Sequence, residues 1–247
     1  MATRQPPPPE SETRGPLAGS IVALAETPED ASTLDAQLKT IAQLAADRIG
    51  AVDYASVTAL RGNVHTTVAA SSELARAVDE AQYTERGGPC VQAVDEAVPV
   101  AVPDVSATMS WPGFRRTALE LGLNASVSLP LFPSNGATVA VLNLFGRDPV
   151  TMAPLIVGVW AVYDPDRPMP TRDDPLPALD AGGEELLSGF AEALAVRATI
   201  QLAVDALTGR MNCTADEAYL ILRLHAAETG TSLSTAATAL ITRRSGP

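Results

Sequence analysis

Few residues in this chain have the type and spacing that chemistry requires. Cys90 ends the run Gly87-Gly88-Pro89-Cys90, at the start of the short helical segment VQAVDEA. A thiol at a helix N-terminus is acidified by the local dipole, so a redox-sensing role is one reading. A small buried residue behind a glycine turn is the other, and the simpler one. Trp111 and Phe114 stand three apart on one helical stretch, where they could line a ligand pocket or serve as core. The pair Asp173-Asp174 suggests the acidic pocket of a phosphorylated receiver, but it sits among prolines rather than at a strand end, and Lys39 is the only lysine. That reading is rejected. Two isolated cysteines, Cys90 and Cys213, make neither a disulfide framework nor a zinc site, and His65 and His225 are far apart. Nothing has the arrangement of a nucleophile with its base or of a phosphate loop. The most specific local signal is structural: Thr214-Ala215-Asp216-Glu217 has capping-box spacing, so Met211 to Cys213 form a tight corner and a new helix starts at about Ala215.

The elements that must position these residues can be read from periodicity. Apolar stripes predict helices over residues 21–25 and 34–49, the latter capped by Ser32 or Thr33. DYASVTAL and VHTTVAA, joined by RGN, predict a hairpin; SELARAVDEAQY, capped by Ser71 or Ser72, predicts a helix. PVAVPD reads as a strand, and Ser110-Trp111-Pro112 opens a helix to about Leu121. ASVSLPLF and ATVAVLNLF follow as strands turned at Asn135-Gly136, and Leu155 to Tyr163 is expected to add a further strand. Five prolines in DPDRPMPTRDDPLPALD mark residues 164–183 as a linker. Everything beyond is helical, with stripes at Leu187, Phe190 and Leu194, at Ile200, Ala203 and Leu207, and at Leu233, Ala237 and Leu240. Three alanine-rich helices bury little alone, and their apolar stripe invites a homodimer.

Composition bounds the rest. The 247 residues suffice for one large or two small domains, and with 46% apolar but 4% aromatic residues the core is built from Ala, Val and Leu. A net charge of −12 argues against indiscriminate adhesion to nucleic acid or anionic membrane, while leaving room for a local basic face. The longest apolar run, PLIVGVWAV, has strand length, and MATRQPPPPESETRG lacks a signal peptide's apolar stretch; it reads as a disordered leader over 1–17. The expected location is cytoplasmic, without a membrane partner.

Two stretches resemble known families. IVALAET, GAVDYASVTAL, GGPCVQAV, VPVAVPDVS, WPGFRRTALELGLNASVSLPL and TVAVLNLFGR occur in the order found in GAF domains of actinobacterial regulators. The resemblance implies an α+β fold, an antiparallel-sheet sensor domain over 18–163 with helices on both sides. Such domains bind a small ligand or dimerise and are rarely enzymes. Some reduce free methionine sulfoxide through several cysteines, whereas this domain has Cys90 alone. No cofactor is expected; an unidentified small molecule is, with Cys90, Trp111 and Phe114 as its candidate pocket. Residues 184–247 resemble a divergent ANTAR domain, the three-helix RNA-binding module of transcription antitermination regulators. That resemblance rests on Arg197-x-x-Ile200, Ala203, Leu207, CTADEAYLILR and Leu233-x-x-Ala236-Ala237. It implies a signal-responsive dimer that binds RNA hairpins, with Arg197, Arg210, Arg223 and His225 as candidate contacts. Where members carry Gln-Ala-Lys-Gly, this chain has Leu202-Ala203-Val204-Asp205, and from residue 206 onward four arginines face three carboxylates. Phosphate neutralisation dominates RNA affinity, so the alternative is a ligand-binding or protein-interaction dimer that has lost RNA recognition.

Overall fold

A computed structural model describes residues 14–62, 64–167 and 176–242. Its centre is a five-stranded antiparallel sheet in the order β2-β1-β5-β4-β3, formed by β1 (Tyr54–Arg61), β2 (Val64–Ala70), β3 (Val100–Val102), β4 (Ala125–Leu131) and β5 (Ala140–Gly146). The strand alternation expected from the sequence places Ala55, Val57, Val127, Leu129, Leu142 and Leu144 on one buried face. The helices α1 (Pro16–Glu26), α2 (Leu34–Arg48), α6 (Pro149–Tyr163) and the first half of α7 (Ala181–Met211) cover that face. The opposite face lies under α3 (Glu73–Glu85), α4 (Pro89–Glu96) and α5 (Pro112–Glu120). The α+β class therefore holds.

Three boundaries differ from the sequence reading. Leu155 to Tyr163 is not a strand but the end of α6: the Asp148 carboxylate accepts from the Val150 amide at 2.9 Å, and Pro149 occupies the first turn. A run of β-branched residues is ambiguous between strand and helix, and here the cap decides. Pro154 is accommodated inside this helix, whose core side packs against the sheet through Met152, Leu155 and Val159. Of the expected leader, residues 1–13 lie outside the described residues, and Pro16 and Leu17 begin α1. Of the expected linker, 168–175, including Asp173 and Asp174, lie outside them as well, and residues 181–183 are the first turn of α7, capped by Asp180 onto the Gly183 amide at 2.7 Å.

The capped corner forms as the sequence requires. Thr214 Oγ1 accepts from the Glu217 amide at 3.3 Å, the Glu217 carboxylate accepts from the Thr214 amide at 2.8 Å, and Asn212 takes the left-handed turn. α8 (Ala215–Thr229) and α9 (Leu233–Thr242) then close a small core on the second half of α7: Ile200, Ala203 and Leu207 meet Ala218, Leu222, Ala226, Leu233 and Ala237. At 31 residues α7 is long and apolar enough to cross a membrane, the stretch being interrupted in sequence by small and charged residues; here its buried face serves two cores in succession.

Within the first core, α1 and α7 pack closely. At Gly189 an added Cβ would meet Ala18 Cα at 2.5 Å, so α1 and α7 approach backbone to backbone. Gly189→Ala gains helix propensity of about 1 kcal/mol yet forces these helices apart, so thermal melting should show a net loss of roughly 1–3 kcal/mol. An unchanged or raised melting temperature would show that α1 does not pack this closely.

Candidate functional site

The sheet face under α3–α5 is polar where the opposite face is apolar. In register across the sheet, Asn143 of β5 stands between Ser56 of β1 and Ser128 of β4, and Thr58 pairs with Thr67 of β2. The Asn143 amide donates to Thr58 Oγ1 at 2.9 Å, Ser56 Oγ at 3.3 Å and Asp79 Oδ1 at 3.2 Å, and Ser128 Oγ donates to Asn143 Oδ1 at 2.8 Å. Asp79 and Tyr83, one turn apart on α3, close the layer from above: Thr67 Oγ1 donates to Asp79 Oδ2 at 2.9 Å, and the Tyr83 hydroxyl bonds both Thr58 and Thr67. The Ser126 hydroxyl and His65 Nε2 are buried without a protein partner among the described residues. Burial dominates the electrostatics here. It pushes the Asp79 carboxyl up to about 7 against the hydrogen bonds that favour its charge, and raises the Tyr83 phenol.

The three pocket candidates lie on this side of the sheet. Cys90 is fully buried with Val94, Val100 and Val141, its thiol pushed up by burial and by Asp79, which removes the acidity a redox sensor needs. Phe114 is also fully buried, in the adjoining cluster with Val78 and Leu123. Trp111 is half-buried, packs edge-on against Phe114 with ring centroids 6.4 Å apart, and holds a left-handed φ of 51° at the start of α5. It touches both clusters.

The four candidate RNA contacts divide into two groups. Arg210 is exposed and, among the described residues, in no ion pair. With His225 and Glu228 it rims a groove of about 460 Å³ floored by Ile221, Leu222, Leu224 and Leu240. Arg197 and Arg223 face the sheet domain instead. Arg197 Nε donates to the Gly136 carbonyl at 2.9 Å, its guanidinium 4.0 Å from the Phe132 ring centre, and burial lowers its affinity for the proton. Arg223 pairs with Asp30 at 3.2 Å and lies over the Tyr219 ring. Tyr219 is half-buried and bonds Ser134 Oγ through its hydroxyl at 2.6 Å.

Family comparisons match this division. The family model for the GAF domain matches residues 31–153, and that for the ANTAR domain matches residues 189–241. The chain is a GAF domain followed by an ANTAR domain. Both are sensor and regulator modules, and together they describe in general a signal-sensing, RNA-binding antitermination regulator. No curated protein sequence matches the chain. Solved structures similar to it include a type II free methionine-R-sulfoxide reductase from Thermoplasma acidophilum, at 13% identity and TM-score 0.36 over 66% of this chain and 92% of that one. The A. aeolicus nlh2 GAF domain in an inactive state gives 15% identity and TM-score 0.36 over 53% and 78%. A domain of a two-component sensor histidine kinase protein from Sinorhizobium meliloti 1021 gives 12% identity and TM-score 0.38 over 75% and 100%.

The polar layer sets a pH dependence. Asp79 has a folded value near 7 against an ordinary 3.8, so the native state holds its proton more tightly than the unfolded chain. Its contribution to stability is therefore greatest below pH 4, falls as pH rises from about 4 to 7, and is flat above, a change of the order of 4 kcal/mol. Asp79→Asn is close in shape, keeps one accepting oxygen and does not titrate. Chemical denaturation across pH 4–8 should show the variant gaining on the parent as pH rises, and a constant difference would mean Asp79 is ionised throughout.

Proposed function

We propose that this protein is a homodimeric regulator of transcription termination in which the GAF domain gates RNA-hairpin binding by the ANTAR helices. The boundary between the domains falls within α7 rather than in the proline-rich stretch, near Val196, which borders both cores. The observation that carries the RNA reading is the Arg210–His225 groove on a chain whose residues 189–241 match an ANTAR domain. RNA hairpin loops present unstacked bases next to closely spaced phosphates. A guanidinium beside an apolar floor suits that combination, with Arg210 taking a phosphate and the His225 edge and leucines taking a splayed base. Leu220, on the exposed side of α8, supplies an apolar contact for a second copy. For the sensed molecule, the layer of Ser, Thr and Asn under α3–α5 is the side of the sheet that supplies hydrogen-bonding groups.

One observation favours the rival in which the helices only dimerise or contact protein. Two of the four candidate cations are already engaged within the chain, and Val204 and Asp205 stand where the family's lysine and glycine are expected. The two readings separate in a titration of the full chain with a two-hairpin RNA and a loop-scrambled control. RNA reading predicts loop-dependent binding that weakens with salt, and about a tenfold or greater loss for Arg210→Glu with His225→Ala at an unchanged melting temperature. Equal weak binding to both RNAs would establish the rival.

A further inference from the structure

The contact between the two domains is chemically unusual on the helical side. It uses the groups that recognise phosphate, and each holds a carboxylate of the GAF domain. The amide of Ser234, in the first turn of α9, donates to Glu26 Oε2 at 3.1 Å, and the Ser234 hydroxyl donates to the other oxygen of the same carboxylate. The free amides and positive dipole end of a helix N-terminus bind anions, and this one is occupied by Glu26. One helix over, Arg223 of α8 holds Asp30 at 3.2 Å. Both carboxylates come from one short segment, the end of α1 and the turn that follows it. Glu29 in the same segment accepts from the Asn135 side chain, which ties the segment to the β4–β5 hairpin. That hairpin completes the contact through Ser134 to Tyr219 and through the Gly136 carbonyl to Arg197.

We propose that residues 26–30 are an internal mimic of an RNA backbone: Glu26 and Asp30 occupy two phosphate positions on the α8–α9 face, and this docking surface competes with RNA for it. The proposal rests on the RNA reading above. With the segment docked, the Arg210–His225 groove is the open cationic site among the described residues; with it released, Arg223, the α9 N-terminus and Arg197 join that groove in a larger cationic surface. The pairing is weak enough to exchange. Asp30 is exposed and Arg223 half-buried, and exposed ion pairs contribute about 0–1 kcal/mol each. A docked population of about nine in ten suffices to lower apparent RNA affinity about tenfold.

The test is the full chain carrying Glu26→Gln and Asp30→Asn, which removes both charges at nearly constant shape. Hydrogen exchange at the Ser234 amide, which donates to Glu26, reads undocking directly, and titration with the hairpin RNA reads affinity. The expected result is faster exchange at this amide, about tenfold tighter loop-dependent binding, and a log–log salt dependence steeper by about 0.7 for the phosphate gained at Arg223. A second variant, Ser134→Ala, leaves every charge in place and should shift both readouts in the same direction by less. Faster exchange with unchanged RNA affinity, while the parent binds in a loop-dependent way, would overturn the competition and leave the RNA reading standing. Unchanged exchange with unchanged affinity would overturn the docking itself. Absence of loop-dependent binding in parent and variants alike would overturn the RNA reading and the proposal with it.

Discussion

One helix passes through both halves of this molecule without a break. The 31 residues of α7 span about 46 Å at the usual rise, and its apolar side is divided between two cores. Leu186, Phe190 and Ala193 belong to the helix layer on the GAF sheet; Ile200, Ala203 and Leu207 belong to the ANTAR core. A helix is stiff over this length, so the sensor and the reader cannot reorient independently at the joint. Movement has to come from the lateral contacts instead, and these are polar and few. The apolar packing fixes α8 and α9 on α7, whereas the domain contact at Glu26, Asp30, Ser134 and Gly136 is made of polar bonds.

The two faces of the sheet divide labour in the same way. The face toward α1, α2, α6 and α7 is aliphatic and close-packed, and gains its stability from area removed from water. The face toward α3–α5 spends buried volume on hydrogen-bonded Ser, Thr, Asn and Asp, a costly choice for a structural core unless every member finds a partner. An Asp79 carboxyl pushed up to about 7 by burial, and a Ser126 hydroxyl with no protein partner among the described residues, mark this layer as the less settled side. β4 and β5 connect it physically to the domain contact. Ser128 and Asn143 lie in these strands, and the hairpin between them carries Ser134 and Gly136. A change in the polar layer thus has a short covalent route to the residues that hold the ANTAR helices.

Much of this was legible in the sequence, for reasons that are local. The capping box at Thr214, the Ser72 cap, the Asn135-Gly136 turn and the alternating strands each depend on residues within a few positions of one another, and each forms. The family models confirm both resemblances. The strand expected at 155–163 failed because apolar, β-branched runs suit either structure; Asp148-Pro149, a cap followed by a first-turn proline, was the signal to weigh against it. The polar layer was readable in part: Ser56 with Thr58 and Ser126 with Ser128 repeat at spacing two inside strands that are otherwise apolar. The convergence of Ser56, Thr58 and Ser128 on Asn143, and through it on Asp79, was not, since it joins β1, β4 and β5 to α3 across the fold. Nor could sequence separate Arg210 and His225 from Arg197 and Arg223. Their helical spacings look equivalent, and only the packing of α8 against the GAF domain distinguishes an open cation from an engaged one.

The most direct measurement of the account is hydrogen exchange across the unmodified full chain, alone and saturated with hairpin RNA. Competition between the GAF segment and RNA predicts that RNA protects α8 and the start of α9 while residues 26–31 and 133–137 of the GAF domain lose protection. If RNA protects the helices and leaves those GAF segments unchanged or further protected, the two surfaces do not compete, and the ANTAR helices read RNA without leaving the sensor.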